Sequence, residues 1–345
     1  MASATTAQLL TLSRLLIADS NIAPLRRHPQ AEESEKLVID FMNKHGVMFP
    51  NFHHANTMYA YMYPTGSFER VTVVGKIMGL LFHIDDVYAD TAESRGLMGG
   101  ELQREVIDRI DRCAYAFETG VLMPYSGGLE RAFQELRQEM QNQVDPAWMV
   151  RFADALRMHI TYAVNPIGRG GWKSDGTVPY EKYAYLREIV SGMLLSVDLI
   201  EYMNEVCLPD YIVYYPTISR LCQTCSRIAA FGNDLFSYEK EVLREGTRFN
   251  LVAVIQANRR CSFEEAVDRA IEIVNEETRH FYKLANEIAC WDDEINAMVR
   301  QYVDGMIYHM SATWGWQLRT LRYRSEQSPF IETRGLNLDN VLAQR

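Results

Sequence analysis

The chain is predicted to fold as an all-α, single-domain helical bundle, and three observations carry that prediction. Apolar residues recur with a helical period along most of its length. No convincing run of alternating apolar and polar residues marks a strand. No composition shift, internal repeat or low-complexity tract divides the chain. A bundle with its functional site in the core is the architecture such helices build. One helical domain is expected over residues 1–325, followed by a polar, partly mobile tail over 326–345.

The elements follow in order. Residues 33–44 form an amphipathic helix ended by Gly46. Residues 68–90 predict a long, mostly buried helix. The 3.6 period returns over 102–118, 127–143 and 147–164. A loop over 165–179 carries four Gly, two Pro and a Ser-Asp-Gly turn. Pro179 suits a helix first turn, and that helix is expected to run through 200. Further helices are expected at 210–244, 262–289 and 292–323.

Composition removes several classes of function. The 345 residues include 35 Lys+Arg and 45 Asp+Glu, for a formal charge of -10. A nucleic-acid binder is expected to carry a basic domain or stripe instead. The longest apolar stretch, Val71 to Ile84, is interrupted by Lys76 and His83 and is too short to span a bilayer. The first residues lack the charged and apolar regions of a secretory signal. Residues 1–18 are acid-free and rich in Ser, Thr and Ala, but carry only Arg14 as a base. Six cysteines in a chain this long do not make a disulfide framework. The CxxC of Cys222 and Cys225 has no second ligand pair nearby, so it is read as thiols on a helix. A cytoplasmic location is expected.

Two polar constellations stand out against the apolar pattern. The first is Phe82-His83-Ile84-Asp85-Asp86-Val87-Tyr88-Ala89-Asp90. Adjacent carboxylates at the end of a buried helix repel each other unless a cation or proton intervenes. Oxygen-only ligands suit Mg²⁺, which uses a few carboxylates with water and substrate phosphate. A solvated helix end is the plain alternative. Asp292-Asp293-Glu294 is also acidic, but it opens a helix, where the dipole favours carboxylates, and is read as capping.

The second constellation is Asn233-Asp234-Leu235-Phe236-Ser237-Tyr238-Glu239-Lys240-Glu241. Four residues turn an α-helix by about 400°, a drift of roughly 40° per step. Asn233, Ser237 and Glu241 therefore share one face. An amide oxygen, a hydroxyl and a carboxylate on one stripe can hold a hard cation. Lys240 stands beside them and can reach an anion on that cation. The plain alternative is a polar stripe facing water. Two oxygen-rich patches in one apolar bundle favour metal shared between facing helices, with phosphate between them.

These residues resemble the class I terpene synthases of the bacterial and fungal single-domain type. Asp85, Asp86 and Asp90 match the aspartate-rich DDxx(x)D/E motif, and Asn233, Asp234, Ser237, Lys240 and Glu241 match NDxxSxxKE at every specified position. Arg187 stands 46 positions before Asn233, where the family carries a diphosphate-sensing arginine. Arg322-Tyr323, six residues after Trp316, matches the family's C-terminal Arg-Tyr pair. The resemblance spans about residues 50 to 325. After the sensor the family often has Asp then Gly; this chain has Val190 and Ser191 in the linker and effector positions. Ser191 can still act through its backbone carbonyl, but Val190 cannot make the polar contact of an aspartate.

The resemblance implies an Mg²⁺-dependent lyase, with three ions, that ionises a prenyl diphosphate and cyclises the carbocation. Asp85, Asp90, Asn233, Ser237 and Glu241 are then metal ligands, Asp85 the foremost on its helix, while Asp86 acts at one remove. Arg187, Lys240, Arg322 and Tyr323 bind diphosphate. Arg187 and Ser191 trigger ionisation, and Phe82 and Trp316 face the cation with their rings. Phe52, Tyr59 and Trp314 are weaker candidates for the aromatic lining. His83, His53 and His54 receive no role, and the Gly168–Gly171 loop follows no strand, so it is not a nucleotide loop. Farnesyl diphosphate is the favoured substrate and geranylgeranyl diphosphate the alternative. A chain-elongating prenyltransferase and a non-enzymatic helical binder are the rival classes. A homodimer is expected by family analogy.

Overall fold

The computed structural model describes residues 9–50, 52–89, 101–164 and 178–335. Asp90, the Gly168–Gly171 loop and residues 336–345 lie outside the described residues. Among the described residues the structure is helical, with two isolated β-bridges and no strand. The longer helices are numbered in chain order: α1 Ala31–His45, α2 Phe68–His83, α3 Glu101–Thr119, α4 Gly128–Met140, α5 Pro146–Val164 and α6 Tyr180–Val190. They continue with α7 Met193–Asn204, α8 Pro216–Tyr238, α9 Leu251–Arg259, α10 Phe263–Asn286 and α11 Asp293–Arg319.

Local signals set most of these ends. Gly46 stops α1 in the left-handed region at φ 65°, and its N–H bonds back to the carbonyls of Met42 and Asn43. Ser67 caps α2 by accepting from the Arg70 N–H at 3.3 Å. Ser262 and Glu265 form a capping box at the start of α10. Asp292 accepts from the Ile295 N–H at 2.9 Å, so the second acidic run opens α11 as expected.

Helix α8 is the axis of the bundle and packs against α6, α7, α9, α10 and α11. Its burial explains its composition: Leu221, Cys225, Ile228, Phe231 and Leu235 are each fully buried. Helix α2 lies on the other side of the core and packs against α1, α4 and α7.

Four departures from the sequence reading matter. Both polar constellations sit where an α-helix widens into a π turn, Ile84–Ala89 after α2 and Glu239–Arg244 after α8. The expected helix from Pro179 through 200 is two helices, broken at Ser191 and Gly192. Gly192 takes φ 73°, and a Cβ there would come within 3.2 Å of the His159 ring. Helix α9 was not anticipated; Asn250 caps it through the Val252 N–H. Finally, residues 326–335 fold back onto the bundle: Phe330 is fully buried, and the Glu332 carboxylate accepts from Thr11 and from the Leu12 and Ser13 amides.

Candidate active site

A cavity opens between α2, α5, α6, α7, α8 and α11. One end is polar and holds Asp85, Arg187, Asn233, Glu241, Arg322 and Tyr323. Elsewhere its wall is largely apolar, with Met58, Met62, Met78, Leu81 and Phe82. Along α11 the lining descends from Gln317 and Trp316 through Thr313 and Ala312 to His309.

The polar end is built on a buried ion pair. Asp234 is fully buried and takes bonds from Arg187 Nε at 2.9 Å and from the Leu251 amide at 2.6 Å. Arg187 Nη2 stands 2.7 Å from the same carboxylate, and the Tyr183 hydroxyl donates to it as well. Burial pushes the Asp234 carboxyl up, and the guanidinium and the other donors oppose that push. Burial also works against the Arg187 charge, but the Asp234 carboxylate outweighs it and the guanidinium stays protonated. The pair fixes Arg187 at the last turn of α6, next to the helix break. The sequence reading placed Asp234 in the motif but gave it no task; it is the anchor of the arginine.

Asn233 sits one residue away on the cavity side. Its Oδ1 accepts from Arg187 Nη2 at 3.0 Å, and its Nδ2 donates to the Tyr323 hydroxyl at 3.0 Å and to Gln317 at 3.3 Å. Ser237 is fully buried, and its Oγ has no hydrogen-bond partner among the described residues. Glu241 reaches the cavity from the π turn and accepts from Asn250 at 3.2 Å. A π turn closes i→i+5 bonds, so each residue rotates the chain less than in an α-helix. That widening offsets the drift expected between Ser237 and Glu241. Burial first, and then the Asp234 charge, push the Glu241 carboxyl up to about 7.

The donor set fits a hard divalent cation. A buried hydroxyl left without a partner is costly unless something coordinates it. Ser237 Oγ is such an atom, on the stripe that carries the Asn233 amide and the Glu241 carboxylate.

At the facing helix end, Asp85 lines the cavity and Asp86 is tied to the C-terminal segment. Arg322 grips Asp86 through two bonds of 2.9 and 2.6 Å and lies 3.6 Å from Asp85. Burial opposes the Arg322 charge, and its bonds to Asp86 more than offset that, so its pKa is raised. The Arg322 guanidinium also stands 5.5 Å from the Phe82 ring and 5.9 Å from the Tyr323 ring.

Other expected residues divide into two groups. Phe82 and Trp316 face each other across 6.3 Å in the cavity wall, and Trp316 Nε1 donates to Thr57 at 3.1 Å. Ser191 lines the cavity at the helix break, where its hydroxyl accepts from the Met193 N–H at 3.2 Å. Lys240 instead pairs with Glu245 at 3.2 Å and is not part of the cavity wall. Phe52, Tyr59 and Trp314 are buried in the core away from the lining, with Tyr59 bonded to Ser34 and Trp314 against Phe236. The sequence reading missed His159 and His309, both in the wall; single histidines in helical patterns carry no signal of where they point.

An apolar cavity in a helical bundle, closed at one end by carboxylates and guanidinium groups, defines a class of protein that binds a molecule with an anionic head and a hydrocarbon body. A family model described as terpene synthase family 2, C-terminal metal binding, matches residues 76–280. The chain belongs to that family. It is 25% identical over 301 residues to the (+)-T-muurolol synthase ((2E,6E)-farnesyl diphosphate cyclizing) of Roseiflexus castenholzii, covering 86% of this chain and 90% of the other. It is 27% identical over 316 residues to sesquiterpene synthase 3 of Postia placenta, covering 89% and 82%. Among solved structures, α-eudesmol synthase superposes with a TM-score of 0.74 at 17% identity, covering 86% of this chain and 97% of that one. Germacradien-4-ol synthase from Streptomyces citricolor gives 0.71 at 21% identity, covering 85% and 95%. The structural likenesses establish the shared α-helical fold.

Proposed function

We propose that the chain ionises farnesyl diphosphate with Mg²⁺, cyclises the carbocation to a sesquiterpene and releases diphosphate. The observation that carries this reading is the single cavity with Asp85, Arg187, Asn233, Glu241 and Arg322 at one end and an apolar wall beyond them. The names of the two relatives above support the fifteen-carbon substrate.

Asp85 on one side, with Asn233, Ser237 and Glu241 on the other, are the groups that would hold Mg²⁺, three ions in all, and the aspartate-rich motif adds Asp90 to the ligands. When bound, the metal supplies positive charge that stabilises the departing diphosphate. Arg187, Arg322 and Tyr323 hydrogen-bond the diphosphate, whereas Lys240, held by Glu245 outside the cavity wall, is not required for that contact. A forked guanidinium suits that task, and Arg322 takes it up by exchanging Asp86 for phosphate oxygens. Ser191 offers its main-chain carbonyl at the helix break beside Arg187. Phe82 and Trp316 present ring faces that stabilise a cation without attacking it. The apolar wall excludes water, which strengthens each of these interactions. No helix among the described residues is long and apolar enough to cross a membrane. The enzyme works in the cytoplasm, as a homodimer.

The test is a product assay with Mg²⁺ and separate C10, C15, C20 and C25 prenyl diphosphates, read by gas chromatography and mass spectrometry. Asp85→Asn and Asn233→Ala run beside the unaltered protein. A cyclic C15 product that both variants lose supports the proposal. A C20 product makes the enzyme a diterpene synthase. A longer diphosphate made from two substrates makes it a prenyltransferase, and no metal-dependent turnover leaves a binding protein.

A further inference from the structure

Helix α9 begins directly against the second polar constellation. Asn250 precedes its first residue and is fully buried. Its Oδ1 accepts from the Val252 N–H at 3.1 Å and caps the helix. Its Nδ2 donates twice, to the Asp234 main-chain carbonyl at 2.8 Å and to Glu241 Oε2 at 3.2 Å. The next residue, Leu251, gives its amide to the Asp234 carboxylate at 2.6 Å. One helix start therefore holds α8 at Asp234 and the π turn at Glu241.

Capping alone does not call for this side chain. Serine and aspartate cap helices as well as asparagine does, because a cap needs only an oxygen. What asparagine adds is an NH₂ group with two protons in one plane. The bond to the Asp234 carbonyl fixes that plane, and the second proton then points at Glu241. The amide cannot be turned end for end, since its oxygen would face two acceptors and its nitrogen a donor.

Glu241 is the member of the metal-facing stripe with most need of such a hold. Asn233 is fixed by Arg187 and Tyr323, and Ser237 is fully buried within α8. Glu241 stands on the π turn, is half-buried, and has a long side chain whose rotamer freedom must be given up before it can hold a cation.

We propose that Asn250 is the positioning residue for Glu241: its amide pins Oε2 and so presents Oε1 to the metal. The inference rests on the function proposed above. Asn250 is not part of the cavity wall, so it acts through Glu241 and touches neither metal nor diphosphate. A ligand fixed before the cation arrives binds it more tightly, because its ordering has been completed by folding.

The test compares Asn250→Ser with the unaltered protein. Serine keeps an oxygen to cap α9 but is too short to reach Glu241. Mg²⁺ affinity is measured by calorimetric titration with inorganic diphosphate present, and thermal denaturation checks the fold. Asn250→Ser is expected to weaken Mg²⁺ binding by about 10- to 100-fold, the scale of losing a group that orients a metal ligand. In a Glu241→Gln background the same change should add less than about twofold, because the ligand it serves is gone. Unchanged affinity in the folded single variant overturns the inference, and so does an equal loss in both backgrounds, which is what a purely structural cap would give. If Asn250→Ser unfolds, a crystal structure of the unaltered protein with Mg²⁺ and diphosphate decides. Glu241 meeting the metal through Oε1 with Asn250 still on Oε2 supports the inference, and a carboxylate turned away from Asn250 overturns it. Release of no diphosphate from the C15 substrate by a protein that binds Mg²⁺ is a different outcome: the proposed function fails, and the affinities still decide the role of Asn250.

Discussion

Helices α2 and α8 each run through an apolar interior and then widen into a π turn that carries carboxylates, Ile84–Ala89 in one and Glu239–Arg244 in the other. The charge is handled differently at the two ends. After α2, the Asp85 side chain keeps 36% exposure, and Asp86 is neutralised by Arg322 from the far end of the chain. At the end of α8, Asp234 and Arg187 neutralise each other with no exposure of the carboxylate, and Glu241 is left half-buried beside them with its carboxyl raised. The first end is a contact that can be exchanged, because water and substrate reach it. The second is a fixed frame, because a broken pair there would leave a charge in the dry interior. A site that must bind an anion and then close on it has use for both.

Removing a group aimed at the diphosphate end has the largest expected effect. Asn233→Ala should lower metal-dependent diphosphate release by about 100- to 1000-fold, the scale of losing one preorganised electrostatic contact. Asp85→Asn should fall in the same range by steady-state assay; near-normal rates in either would place the metal elsewhere.

Next come the two acids that hold arginines. Asp234→Asn leaves Arg187 buried against a neutral partner and should cost about 3–5 kcal/mol in denaturant unfolding. Asp86→Asn should cost clearly less, because its end of the cavity is partly open. Equal costs would erase the distinction between a fixed and an exchangeable pair.

Glu241 sharpens it through pH. Its carboxyl is raised from the ordinary 4.5 to about 7, so the folded protein holds a proton there that the unfolded chain releases. Stability from this group is present below about 4.5 and is lost as pH rises towards 7. Divalent metal affinity has the opposite sign, because the ligand must be deprotonated. Calorimetric titration should show affinity rising by up to about tenfold per pH unit until pH 7 and levelling above it. Glu241→Gln should flatten that slope.

The smallest effect is expected at Lys240, which spends its charge on Glu245 rather than on the cavity. Lys240→Ala should change kcat/KM by less than about fivefold, the range of a weak ion pair. A loss as large as that of Asn233→Ala would mean that the lysine turns to the diphosphate when substrate binds.

Much of this was legible in the residues. The Gly46 stop, the Asp292 cap and the apolar period of α8 are local, because capping and helix phase depend on neighbours three or four positions away. The spacing of Asn233, Ser237 and Glu241 announced a polar face for the same reason. The break at Gly192 was less visible: a single glycine in a helical pattern is tolerated, and here the His159 ring packed against it is what makes the glycine necessary.

By itself the sequence determined the fold class, the family and the two oxygen-rich helix ends, since each depends on periodicity or on residues close together in the chain. The tertiary structure decided which partners those ends have. Asp86 meets Arg322 across 236 positions, Asp234 meets Arg187 across 47, and His309 meets Tyr63 across 246. Such contacts are fixed by how the helices pack, and packing depends on the whole set of buried side chains at once. The exchangeable pair, the fixed pair and the buried imidazole all belong to that level.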